Sequence, residues 1–116
     1  ETSTEISHPI KLTILNTTDS TPENNHQIII NKDLVTYPLS LKKWHHGDAM
    51  HPTGMTGSKK ISQLFKDKKL SLLDKEKIWL LADGKDRIIW VIGLRQDRRF
   101  TADKTATNRL KISFIS

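Results

Sequence analysis

A chain of 116 residues, 35% hydrophobic and 28% charged, has apolar side chains for one modest core and no more. No apolar run nears the roughly 18 residues of a membrane span, and the absence of cysteine excludes disulfides, thiolate chemistry and cysteine-ligated zinc. The net charge of +6 is uneven: residues 1–41 carry two basic and five acidic groups, residues 42–116 seventeen and eight, so a polyanionic partner for the later part of the chain stands against a merely solubilising surface.

The opening ETSTEISHP has two glutamates and no basic cluster ahead of an apolar stretch, so it is not read as a signal peptide, and a start on Glu1 reads as a piece of something longer. Ile10, Leu12 and Ile14 alternate with Lys11 and Thr13, which predicts a half-buried strand. Polar residues 16–25 predict a loop. Gln27–Ile30, closed by Asn31-Lys32-Asp33, predicts a second strand, with a hairpin to the first as one way of pairing it. Leu39 and Leu41 alternate with Ser40 and Lys42 in a third strand that leads into LKKWHHGDAMHPTGMTGSKKISQLF, residues 41–65. Here Pro52 biases His51 away from helix, and Gly54 and Gly57 permit backbone angles that side chains forbid. Ile61, Leu64 and Phe65 then fall on one face of a short helix. Cations delivered from a glycine-bearing loop beside a helix start suit phosphate oxygens.

Ser71 and Asp74 stand where a capping box would start a second short helix, about Leu72 to Lys77. The β-branched and aromatic stretches 78–82 and 88–92 flank Asp83-Gly84 and predict a buried hairpin. GLRQDRRF, residues 93–100, gathers three arginines, and Leu110, Ile112 and Phe114 alternate in a last strand. About six strands and one helical interruption predict a single mainly antiparallel β domain of the α+β class over residues 1–116, barrel-like, with a helix beside it.

His45, His46, Asp48 and His51 lie within seven residues, but adjacent imidazoles rarely aim at one ion and four nearby basic groups oppose a dication, so no metal is assigned. GMTGSK, residues 54–59, lacks the Gly-Lys-Ser/Thr of a Walker loop, and its GxxG follows a proline-bearing loop rather than joining two helices. No catalytic residue is assigned either. There is no GxSxG elbow, and Asp48 beside His46 lacks a third group; a turn aspartate bonding its own backbone is the commoner role. Nucleic-acid binding fits better: Lys42, Lys43, Lys59, Lys60, Arg95, Arg98 and Arg99 are candidate phosphate contacts, and Trp44, His45 and His46 offer planar groups for bases. Trp44 divides evenly between stacking and core packing, whereas Trp79 and Trp90 sit in apolar runs and read as core.

Read together, KKWHHGD (42–48), HPTGMTGSKKIS (51–62), LFKDKKLS (64–71), WLL (79–81) and IIWVIGLRQDRRF (88–100) resemble the C-terminal domain of tRNA(Ile)-lysidine synthetase, in the form of the Bacteroidetes-like branch, over about residues 27–112. The resemblance implies a cytoplasmic parent enzyme that uses ATP with Mg to adenylate the wobble cytidine of tRNA(Ile) with a CAU anticodon and joins lysine to it. It implies a small β-barrel-like fold shared with a phenylalanyl-tRNA synthetase module. It assigns these residues to holding tRNA(Ile), usually near the acceptor stem, beside the parent's own N-terminal catalytic domain, whose SGGxDS loop is not among them. Family motif positions fall on Lys43, Gly47 and Asp48, on Gly54, Met55, Gly57, Lys59 and Lys60, and on Arg95, Asp97, Arg99 and Phe100. Many relatives carry an arginine or aromatic where this chain has Ala49, which passes any such contact to His51 or Arg98. A basic protein-interaction domain docking an acidic partner or its own catalytic domain is the alternative.

Overall fold

The computed structural model describes residues 4–6, 10–19, 21–24 and 26–115, the first three by backbone alone. In chain order the elements are β1 (Thr4–Ile6), β2 (Lys11–Thr17), β3 (Gln27–Asn31), β4 (Ser40–Lys42), β5 (Ala49–Met50), β6 (Lys59–Lys60), α1 (Ile61–Asp67), α2 (Leu72–Lys77), β7 (Leu80–Ala82), β8 (Ile88–Val91), β9 (Arg95–Gln96) and β10 (Arg109–Ile115), with 3-10 turns at Lys32–Leu34 and Arg98–Phe100. They fall into two compact units, Glu1–Val35 with Phe100–Ser116, and Thr36–Arg99.

The first unit is a four-stranded antiparallel sheet in the order β1-β2-β10-β3. The period-two pattern puts Leu12 and Ile14 of β2 and Leu110 and Ile112 of β10 inside, beside Ile28 and Ile30 of β3. Ile112 pairs with Ile14 on one side and Ile28 on the other, so β10 lies between β2 and β3. The hairpin read between those two strands does not form. The connection across residues 18–26 is long enough to let β3 take the far edge, and seven-residue β10 pairs with both neighbours.

The second unit holds an antiparallel sheet in the order β4-β7-β8-β9, a β5–β6 ribbon and both helices. The expected barrel is realised as open sheets. The β7–β8 hairpin forms as predicted, with a register shift between Leu81 and Ala82. Its turn needs Gly84, because a Cβ there would lie 2.6 Å from the Tyr37 carbonyl oxygen. The i, i+3, i+4 spacing of Ile61, Leu64 and Phe65 buries one face of α1 against Met50, Leu80, Ile88 and Val91, with Trp44, Leu70, Ile78 and Leu94 at the margin. Helix α2 buries nothing fully; the Ser71–Asp74 capping box closes its first turn. Among the described residues no helix is long and apolar enough to cross a membrane.

Candidate nucleic-acid interface

The irregular run from Lys43 to Ser58 belongs to the second unit, and side chains tie it down at three points. Asp48 closes the first turn: its Oδ2 accepts from the His45 N–H at 2.8 Å, its own N–H donates to the His45 carbonyl at 3.1 Å, and its carbonyl accepts from Ile61 N–H at the start of α1. Lys42 Nζ lies 3.7 Å from Asp48 Oδ1 and 3.2 Å from Asp86 Oδ1. The aspartate is the backbone-bonding turn former that its place after glycine suggested.

Asp97, with no exposed surface, is the second point. It accepts from the His51 N–H at 2.9 Å, from the Arg99 N–H at 2.9 Å, and from Arg99 Nε and Nη2 at 3.1 and 2.9 Å. Main-chain bonds from Thr53 N–H to the Gln96 carbonyl and from Arg98 N–H to the His51 carbonyl run alongside. Arg95 Nη1 donates to the Thr53 carbonyl at 2.9 Å, and Arg98 donates to the carbonyls of Met55 and Gly57 at 3.0 and 3.3 Å. A loop outside any ladder leaves carbonyls without partners, and the rigid guanidinium fork answers several at once. Gly54 and Gly57, at φ +78° and +73°, let the chain turn beneath those arginines.

The third point is Lys59, which pairs with Asp67 at the far end of α1. The Lys59 ammonium, then the Gln63 amide, hold the Asp67 carboxyl below its ordinary range. Lys43 donates to the Glu76 carbonyl and sits 4.1 Å over the Trp79 ring, an intramolecular cation–π contact.

Of the ten residues predicted to meet nucleic acid, six thus make internal bonds: Lys42, Lys43, Lys59, Arg95, Arg98 and Arg99. Lys60, His45 and His46 are exposed. Trp44 is half-buried, edge-on to core Phe65 at 5.3 Å and to His46 at 5.2 Å. Among the described residues no three histidines, aspartates or glutamates gather as a metal site.

Trp44 and His46 also border a groove of about 470 Å³, whose other walls are Ser62, Gln63 and Lys66 of α1, Lys69 and Leu70 of the turn that follows, and Lys75 of α2. A larger groove, about 610 Å³, lies in the other unit, but there Arg109 is engaged by the carbonyls of Thr18, Asp19 and Asp103.

Residues 39–112 match the family model of the TilS substrate C-terminal domain. The chain belongs to that family. It is 40% identical over 111 residues to the tRNA(Ile)-lysidine synthase of Parabacteroides distasonis, covering 92% of this chain and 25% of the relative. It is 40% identical over 84 residues to the tRNA(Ile)-lysidine synthase of Bacteroides thetaiotaomicron, covering 72% and 20%. The chain therefore spans about a quarter or less of the length of these relatives. The fold matches a crystal structure of a TILS C-terminal domain with a TM-score of 0.79 at 19% identity, covering 97% of this chain and 90% of that one. An N-terminal fragment of the phenylalanyl-tRNA synthetase β-subunit from Pyrococcus horikoshii shares the fold less fully, with a TM-score of 0.62 at 16% identity over 76% of this chain and 27% of that one.

The motif positions expected from the sequence are thus where the loop is built: Asp48, Arg95, Asp97 and Arg99 hold one another or the backbone, and Lys59 holds Asp67. Lys66, Lys69 and Lys75 were not among the predicted contacts. Lys66 in the last turn of α1 and Lys69 in the turn after it line the same groove, and in LFKDKKLS they are hidden among four consecutive charged residues.

Proposed function

We propose that this chain is the tRNA-holding, non-catalytic C-terminal part of a tRNA(Ile)-lysidine synthase. In this reading the parent is a cytoplasmic ATP-dependent ligase, and the ATP chemistry belongs to its N-terminal catalytic domain. The chain's task is positioning: fixing tRNA(Ile), in the region of its acceptor stem, so that the wobble cytidine meets the reacting groups elsewhere.

One observation carries this reading beyond family membership. Residues 36–99 hold fourteen lysines and arginines against seven aspartates and glutamates, and all six aspartates there already accept internal hydrogen bonds or ion pairs. Those aspartates are engaged within the unit, and exposed Lys60, Lys66 and Lys69 remain without an ion pair among the described residues. Such a surface favours a polyanion.

The test separates the two lysines of β6. Lys60→Glu should weaken tRNA binding at least fivefold in a gel shift while leaving the thermal melt within a degree or two, since one phosphate contact becomes a repulsion (about 1 kcal/mol or more). Lys59→Glu sets a glutamate against Asp67 and should lower the melt. Undiminished binding by the Lys60 variant, or no tRNA affinity in the unsubstituted chain at low salt, would overturn the proposal. A second reading, docking onto an acidic protein face such as its own catalytic domain, is favoured by Leu72 and Leu73, 74% and 64% exposed on α2. Loss of association with that domain, but not of tRNA binding, in Leu72→Ser would favour it.

A further inference from the structure

We infer that the groove bordered by α1, the turn after it and α2 receives one unpaired nucleotide of an RNA strand, with its phosphate on Lys66, Lys69 and Lys75 and its base against the Trp44–His46 ring pair. The inference rests on the tRNA-holding reading and adds to it the kind of RNA element and the place that takes it.

Three observations meet here. The first is charge: the three lysines line one groove, and none has an ion pair within bonding distance among the described residues. Of the acids beside them, Asp67 is paired with Lys59 and bonded by Gln63, with the Lys66 charge also acting on it; Asp74 accepts from the Ser71 N–H in the capping box; and exposed Glu76, next to Lys75, makes no ion pair among the described residues. Cationic side chains that line one groove favour an anion within it.

The second is backbone strain at Lys69. Helix α1 ends with the Lys69 N–H donating to the Lys66 carbonyl and the Leu70 N–H to the Phe65 carbonyl, the paired bonds of a Schellman end. That geometry puts residue 69 in the left-handed region, and its φ is +55°. Glycine is the usual residue there because a Cβ is penalised. Complementing the helix dipole does not account for a lysine at this point, since Lys66 in the last turn already does so. A strained lysine aimed at a cationic groove is what a binding role would retain.

The third is the ring pair. Trp44 and His46 stand at 69° to each other, Trp44 backed by Phe65, so the wall they make is supported from the core. Inside a duplex both faces of each base are covered by its neighbours and only the end pair leaves a face open, so the wall is met most readily by the base of an unpaired nucleotide. The volume of about 470 Å³ falls in the range of about 300–1,000 Å³ usual for small-molecule sites.

Fluorescence anisotropy with the 116-residue chain tests this, using a labelled single-stranded RNA and a blunt duplex of the same sequence. The single strand should bind more tightly than the duplex. Lys69→Gly, and separately Lys66→Gln with Lys75→Gln, should weaken single-strand binding about tenfold, and His46→Ala should weaken it without changing duplex binding. Lys69→Gly should melt at the same temperature as the unsubstituted chain or higher. If the groove variants bind the single strand undiminished while Lys60→Glu does not, the RNA lies elsewhere and the inference falls, with the tRNA-holding function intact. A chain that binds neither RNA nor tRNA sinks both. A lowered melt for Lys69→Gly would make Lys69 structural, and polyglutamate displacing the strand at equal charge concentration would make the groove an acidic-peptide site; either result overturns the inference.

Discussion

Asp97 illustrates how a motif residue acts through its neighbours. A carboxylate with no exposed surface is tolerated only if its lone pairs are filled, and here two main-chain N–H groups and the Arg99 guanidinium fill them. Asp97→Asn keeps the shape but removes the charge opposite Arg99 and turns one acceptor into a donor facing N–H groups. We expect a loss of about 2–3 kcal/mol, read as a lower urea midpoint with an unchanged slope; an unmoved midpoint would mean that the arginine–carbonyl bonds alone hold the loop. Arginine clustering in RQDRRF was legible, but its direction was not. Whether a guanidinium faces solvent or the Thr53, Met55 and Gly57 carbonyls depends on the path of an aperiodic loop, and no spacing rule specifies that path. At Lys69 the left-handed angle costs on the order of 1 kcal/mol against glycine, and a local penalty of that kind leaves no mark in a pattern of hydrophobic residues.

At the scale of elements, the sequence was most informative where a local bond or a strict period decides the outcome. The Ser71–Asp74 box, the buried face of α1 and the 80–82 and 88–91 strands all follow from residues close in sequence. Two-residue strands β5, β6 and β9 do not, because each is too short to carry a period of its own and exists only through its pairing, as when Met50 pairs with Lys59 and Val91 with Arg95. The placing of β10 between β2 and β3 is likewise a matter of which edge a distant strand occupies. The β7–β8 turn carries its own pH dependence. Buried Asp83 would be raised by desolvation, but bonds from the Arg87 side chain and from the backbone N–H groups of Arg87, Thr36 and Lys85 outweigh it and hold its pKa at about 2. A carboxyl depressed on folding contributes stability that is present above its unfolded value of about 4 and is lost as pH falls through the folded value. Thermal stability should therefore fall between about pH 4 and pH 2 by on the order of 2 kcal/mol more than in Asp83→Asn. Equal acid sensitivity in the two proteins would show that Asp83 is not the group responsible.

For the molecule as a whole, the two units differ sharply in charge. Residues 36–99 carry a net +7, while the remaining residues, with five basic and six acidic groups, carry −1. A dividing line drawn along the sequence at residue 41 caught the trend but blurred it, because 100–116 returns to the nearly neutral sheet of the first unit. Polyanion binding by the cationic unit is governed by counterion release, so it should depend steeply on salt. With Lys60 meeting one phosphate and Lys66, Lys69 and Lys75 sharing another, log K for tRNA against log salt should have a slope of about −1.8 by the rule for B-DNA, or about −1.4 on single-stranded stretches. Replacing Lys66, Lys69 and Lys75 by glutamine should cut the slope to about −0.9, leaving Lys60 alone. Internal ion pairs such as Lys59–Asp67 and Arg99–Asp97 release no counterions from RNA, so neutralising those pairs should shift stability and leave the slope almost unchanged. A slope near zero in the unsubstituted chain would mean that its lysines face water rather than phosphate, whatever its affinity for tRNA.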